Sequence, residues 1–111
     1  MKRALILLAA VLVAVLFWMA LYPEPATRLA FRAERAVSGV EYRMASVDGE
    51  TWHYLVGGPE EGETILLLHG FGGEKDNWNR FLRYLTGNYR VIVPDLPGFG
   101  ESARHPDWDY S

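Results

Sequence analysis

The 111-residue sequence predicts an α/β domain: a mixed sheet with an edge hairpin beside parallel strands joined by a crossover helix, all preceded by a transmembrane helix. Three observations carry this. Residues 4–22 (ALILLAAVLVAVLFWMALY) contain no charged residue. Asp48-Gly49 lies between two strand-like runs. Two short, continuous apolar runs, 64–68 and 89–94, flank a stretch with helical spacing.

The apolar segment follows Lys2 and Arg3 and is long enough for the hydrocarbon layer, which needs roughly 20 residues. A removed signal peptide usually has an apolar region of only about 7–15 residues and a small-x-small cleavage site. Trp18 spoils such a site at Ala20. Trp18 and Tyr22 suit a membrane interface, where amphipathic rings settle. We therefore read residues 1–23 as a single-pass signal anchor. Lys2 and Arg3 favour a cytoplasmic N-terminus, whereas Arg28, Arg32 and Arg35 favour the reverse. The former is preferred, which sets the soluble domain outside the cytoplasm.

Pro23 and Pro25 end the span, and residues 24–39 form a juxtamembrane amphipathic segment. Within it Thr27 to Val37 reads as a helix stopped by Gly39. Arg28, Arg32 and Arg35 share one stripe, and Leu29, Ala33, Ala36 and Val37 another. The arginine stripe suits either lipid headgroups or a solvated face of a helix packed on the domain.

Residues 40–111 form the soluble part. Val40–Val47 and Thr51–Val56 read as strands of a hairpin closed at Asp48-Gly49. Thr64–Leu68 reads as a buried strand, because its apolar run is continuous rather than alternating. Glycine-rich His69–Gly73 comes next, then a helix from Asp76 to Leu85 with Trp78, Phe81, Leu82 and Leu85 at helical spacing. Gly87-Asn88 closes it, and Tyr89–Pro94 begins a second buried strand. Strand, helix, strand implies parallel pairing through a right-handed crossover. Asp109 or Ser111 could cap a further helix. Two buried parallel strands with one covering helix leave a sheet face bare, so the reading frame, or its record, is expected to be truncated.

Composition excludes several classes. Nine of the eleven Lys and Arg and all fourteen Asp and Glu fall outside the N-terminal segment, leaving that part at −5, unlike a nucleic-acid binder. Without cysteine there is no disulfide framework, thiolate metal site or thiol nucleophile. Aromatic residues at 14% argue against disorder. Gly70 and Gly72 begin a dinucleotide-type pattern, but Lys75 occupies the third glycine's place, and no Gly-Lys-Ser/Thr phosphate loop is present. His53, His69 and His105 are too scattered for local metal ligands. Neither cofactor nor metal is expected.

The informative stretch is His69-Gly70-Phe71-Gly72-Gly73-Glu74-Lys75-Asp76-Asn77-Trp78, then Asp95-Leu96-Pro97-Gly98-Phe99-Gly100-Glu101-Ser102. In this order, after buried strands and about two dozen residues apart, the two loops are a strong signal. Here the sequence resembles the α/β-hydrolase family over roughly residues 40–111, and most of all membrane-associated monoacylglycerol lipases and related bacterial esterases. The resemblance implies cleavage of carboxylic esters, with a lipid or small ester as substrate and the membrane as partner. It makes the Phe71 backbone N–H one of two oxyanion donors, with its ring lining the acyl pocket. Glycines after a strand let backbone N–H groups approach and aim at a substrate oxygen.

The same resemblance makes His69 a loop brace rather than the base, with Gly70 and Gly72 supporting the loop. Asp95 is a loop brace as well and not the triad acid. The nucleophile, acid and base are expected downstream of Ser111, so the chain alone should be inactive. Ser102 half-matches Gly-x-Ser-x-Gly, but Arg104 replaces the last glycine and no buried strand runs directly into it. It reads as a loop serine. Trp78 reads as core or acyl-pocket wall. Two alternatives stand beside this reading. One is an epoxide hydrolase or haloalkane dehalogenase, against which Gly72-Gly73 replaces the usual proline. The other is a non-enzymatic membrane microprotein whose bare sheet face is covered by a partner.

Overall fold

The computed structural model describes residues 1–109, so Ser111 lies outside the described residues. The chain divides into two compact units, Met1–Arg32 and a second beginning at Ala33. In the first, α1 (Lys2–Leu21) has no buried residue. Its twenty residues span about 30 Å at about 1.5 Å each. It is long and apolar enough to cross a bilayer, a test that a signal sequence also passes. The Tyr22 N–H closes the last turn onto the Trp18 carbonyl at 2.9 Å.

Helix α2 (Pro23–Ser38) starts four residues before the expected Thr27. Pro23 and Pro25 both fit its first turn, where backbone N–H groups have no intrahelical acceptor to lose. Thr27 lies inside the helix and donates its hydroxyl to the Pro23 carbonyl at 2.9 Å. The arginine stripe does not act as one surface. Arg28 is exposed, 3.8 Å from Glu24, whereas Arg35 turns inward to Asp76. The outward side of the last turns carries Ala33, Ala36 and Val37 instead.

In the second unit, β1 (Val40–Val47), β2 (Glu50–Gly57), β3 (Thr64–Leu66) and β4 (Arg90–Pro94) form a sheet in the order β1-β2-β4-β3. β1–β2 and β2–β4 pair antiparallel, and β3–β4 pair parallel, so the mixed sheet with an edge hairpin is as the sequence predicts. At the hairpin, Asp48 and Gly49 both take positive φ (52° and 81°), the geometry that a two-residue turn between twisted strands demands.

The crossover is not the regular helix expected over 76–85. A 3₁₀ turn, η1 (Lys75–Trp78), runs into a single α-turn, α3 (Asn79–Leu82). Three-residue closures follow, with Tyr84 N–H to the Phe81 carbonyl at 3.0 Å and Leu85 N–H to the Leu82 carbonyl at 2.9 Å. The cause is the polar set Lys75, Asp76 and Asn79, all buried and held by specific partners. Trp78, Leu82 and Leu85 still reach the core, because spacings of three and four residues serve both geometries.

Most of the core lies on one face of the sheet, with Val56 buried on the other. Val40, Leu55, Leu67, Leu82, Val91 and Val93 are buried together, with Ile65, Trp78 and Leu85 against them. On the strands these residues alternate, as a single covered face requires. β3 ends at Leu66, shorter than expected, and Leu66 and Leu68 on the other face are exposed.

Candidate active site

The loop after β3 is tied at both ends to adjacent residues of the loop after β4. At its start, buried His69 accepts the Leu96 N–H on Nε2 at 3.0 Å. That bond leaves the ring proton on Nδ1, which donates to the Gly70 carbonyl at 2.9 Å. The Phe99 ring packs edge-on to the imidazole with centroids 5.4 Å apart. At the loop's end, the Lys75 N–H donates to Asp95 Oδ1 at 2.7 Å. Between these ties, Gly73 N–H closes on the Gly70 carbonyl at 3.0 Å, and Gly72 takes φ 73°. The Glu74 N–H is capped by Asn77 Oδ1 at 2.6 Å.

Phe71 sits at the crest of this loop. Its side chain is fully exposed, not part of the core, and it meets the Phe99 ring edge-on at 5.8 Å. Its backbone N–H has no acceptor among the described residues. Cavities lie on either side. One, of about 300 Å³, is lined by His69, Gly70, Phe71, Gly73, Asn77 and Trp78. The other, of about 390 Å³, is lined by Phe71, Gly98, Phe99, Arg104, His105 and Pro106. Trp78 packs against the core and also lines the first of these cavities.

Beneath the loop lies a charged cluster that the sequence reading passed over. Lys75 is fully buried, its Nζ 2.7 Å from Asp95, 3.3 Å from Glu101 and 3.5 Å from Asp76. Asp76 in turn receives Arg35 side-on and Asn79 Nδ2 at 2.9 Å. Tyr42 offers its ring to both cations, 5.3 Å from the Arg35 guanidinium and 5.5 Å from Lys75 Nζ. Its hydroxyl bonds His53 Nδ1. Burial is the strongest influence on Lys75 and opposes its charge, but Asp95, Asp76 and Glu101 outweigh it and hold the ammonium above its usual range.

Asp95 receives the Lys75 N–H, the Lys75 ammonium and the Glu101 N–H, the last at 2.9 Å. Ser102 is buried; its Oγ donates to the Asp95 carbonyl at 2.8 Å and accepts the His53 N–H at 3.2 Å. That leaves its hydroxyl proton committed to a backbone carbonyl. Among the described residues no three His, Asp or Glu side chains are grouped to hold a metal ion.

Residues 63–111 match the family model described as alpha/beta hydrolase fold. The chain is 42% identical over 85 residues to Lipase 1 of Psychrobacter immobilis, covering 76% of this chain and 26% of that protein. It is 39% identical over 85 residues to Lipase 3 of Moraxella sp. (strain TA144), covering 76% of this chain and 27% of the relative. Among solved structures, a membrane phospholipase A described as a bacterial virulence factor superposes with a TM-score of 0.73 at 45% identity, over 99% of this chain and 36% of that one. The strand order, the glycine loop after β3 and these matches make the chain an α/β-hydrolase. Lipases are among the curated relatives it matches. It spans about a quarter of the length of the curated lipases it matches.

Proposed function

We propose that this chain is the N-terminal, oxyanion-forming part of a membrane-anchored serine hydrolase that cleaves carboxylic esters, with monoacylglycerols as the substrate class. The observation that carries the reading is the Phe71 N–H, unengaged among the described residues on a loop bordered by two cavities. Ester cleavage passes through a tetrahedral oxyanion, which fixed donors in a site poor in water stabilise without reorganising. A tight loop pinned at both ends provides such a donor. The nucleophilic serine, its acid and its base belong to sequence downstream of residue 111, and the serine's own neighbour supplies the second donor.

In this account Phe71 N–H stabilises the developing negative charge and the Phe71 ring lines the acyl site. His69 and Asp95 brace the loop, and Gly70 and Gly72 keep side chains away from the reacting carbonyl. Helix α1 holds the domain, outside the cytoplasm, near lipid substrate. The lipase relatives and the apolar first helix support this reading.

The test is hydrolysis of monoacylglycerol and p-nitrophenyl butyrate by the full-length hydrolase that carries this region, with carbonate extraction of its membranes. Ester turnover blocked by a fluorophosphonate, in a protein that stays in the membrane pellet, is expected. A soluble protein, or one inert to both esters, contradicts the proposal.

A further inference from the structure

The five residues Gly70–Glu74 lie between two anchors, His69 and Lys75, which land on neighbours, Leu96 and Asp95. The first is a neutral hydrogen bond. The second is double, because Lys75 reaches Asp95 with its backbone N–H at 2.7 Å and with its ammonium at 2.7 Å. The Lys75 side chain contributes nothing to the surface. Three carboxylates from two loops converge on its Nζ: Asp95, Glu101 and Asp76. Asp76 keeps Arg35 as a partner, but without the Lys75 ammonium Asp95 and Glu101 would lose the cation they share, and the loop after β4 would loosen from the turn at Lys75. An apolar side chain of similar size could fill the space but could not gather these groups.

We propose that Lys75 is a positioning residue for the oxyanion donor: held by Asp95 through both its amide and its ammonium, it fixes the end of the loop and so the aim of the Phe71 N–H. The inference rests on the oxyanion reading of Phe71 and assigns the part that sets its geometry. Lys75 touches no substrate. It acts through four residues of backbone, and a displacement of about 1 Å at a reacting centre can cost on the order of 100-fold in rate. The effect belongs to kcat, because a misdirected donor fails the transition state more than the bound ester.

The experiment compares Lys75→Met and Lys75→Arg with the unaltered full-length hydrolase in detergent micelles. It measures kcat and KM for p-nitrophenyl butyrate, and the affinity of a trifluoromethyl ketone, whose serine-bound hemiketal carries the oxyanion. Lys75→Met is expected to lower kcat by about 10- to 100-fold with KM within about twofold, and to weaken the ketone in parallel. Lys75→Arg is expected to recover part of both. A folded Lys75→Met protein with kcat and ketone affinity unchanged overturns the proposal. So does a kcat loss with no loss of ketone affinity. Should Lys75→Met not fold, Lys75→Arg alone decides, with the same parallel loss in smaller measure supporting the proposal and unchanged values overturning it. An unaltered enzyme inert to the ester removes the oxyanion reading itself, and the Lys75 role with it.

Discussion

Arg35 and Asp76 meet side-on, Nε to Oδ1 at 2.7 Å and Nη2 to Oδ2 at 2.6 Å, joining the end of α2 to the turn that follows the glycine loop. The carboxylate is almost fully buried and the guanidinium mostly so. Removing one member of such a pair strands a buried charge, at a cost of about 3–5 kcal/mol. Arg35→Ala is therefore expected to destabilise by that order. Arg35→Lys, which cannot form the paired contact, should fall between. Urea unfolding in micelles, followed by tryptophan fluorescence, checks this; an Arg35→Ala midpoint equal to the parent's would contradict it.

The same cluster sets a pH window. Burial acts most strongly on Asp76 and favours its neutral form, but the hydrogen bonds from Arg35 and Asn79 and the charges of Arg35 and Lys75 prevail, holding its carboxyl below the ordinary range. A lowered folded value means that this stabilisation is complete above the unfolded value of about 3.9 and is lost as pH falls through the folded one. Lys75 is raised, so its share is complete below about 10.4 and is lost as pH rises through its folded value. Stability should plateau between these limits, and Asp76→Asn should shallow the acid limb. Urea midpoints against pH measure it, and an acid limb of equal slope in Asp76→Asn would disprove the assignment.

His69 gives a sharper kinetic contrast. With Nε2 accepting the Leu96 N–H, its removal leaves a donor without a partner, a loss of about 1–3 kcal/mol in stability. In the full-length hydrolase His69→Ala should lower kcat by about tenfold or less, since only the loop's first anchor loosens. Losing a true general base costs on the order of 10⁴-fold or more. A collapse of that size at His69 would reassign it as the base.

Gly100 tests the seat of Asp95. At φ 54°, an added Cβ would lie 2.3 Å from the Asp95 carboxyl carbon and 2.4 Å from both of its oxygens. Gly100→Ala should displace that carboxylate from Lys75 and cost about 1–3 kcal/mol through backbone strain alone. Thermal unfolding would show it, whereas an unchanged midpoint would mean that the Pro97–Gly100 turn yields freely.

Much of the fold was legible because it rests on local chemistry. Asp48-Gly49 dictates a tight turn, and the apolar runs at 64–68 and 89–94 place strands β3 and β4, although β3 stops at Leu66. The loop that presents Phe71 was legible through its glycines. The charged cluster was not, since Arg35, Tyr42, Lys75 and Glu101 are far apart in sequence and each alone reads as an exposed residue. The fold brings them together: Arg35 from the end of α2, Tyr42 from β1 and Glu101 from the loop after β4 meet at the turn that carries Lys75. The same buried polar groups explain why residues 75–85 form tight turns where helical spacing alone predicts one regular helix.

The most direct test of the account deletes a single hydrogen. Replacing Phe71 by its α-hydroxy acid, phenyllactate, turns the amide into an ester and removes the N–H while leaving the side chain in place. In the full-length hydrolase kcat should fall by about 10²- to 10³-fold, the loss seen when one oxyanion donor is withdrawn, with KM little changed. An ester-substituted enzyme that turns over as fast as its amide parent would show that Phe71 does not hold the oxyanion.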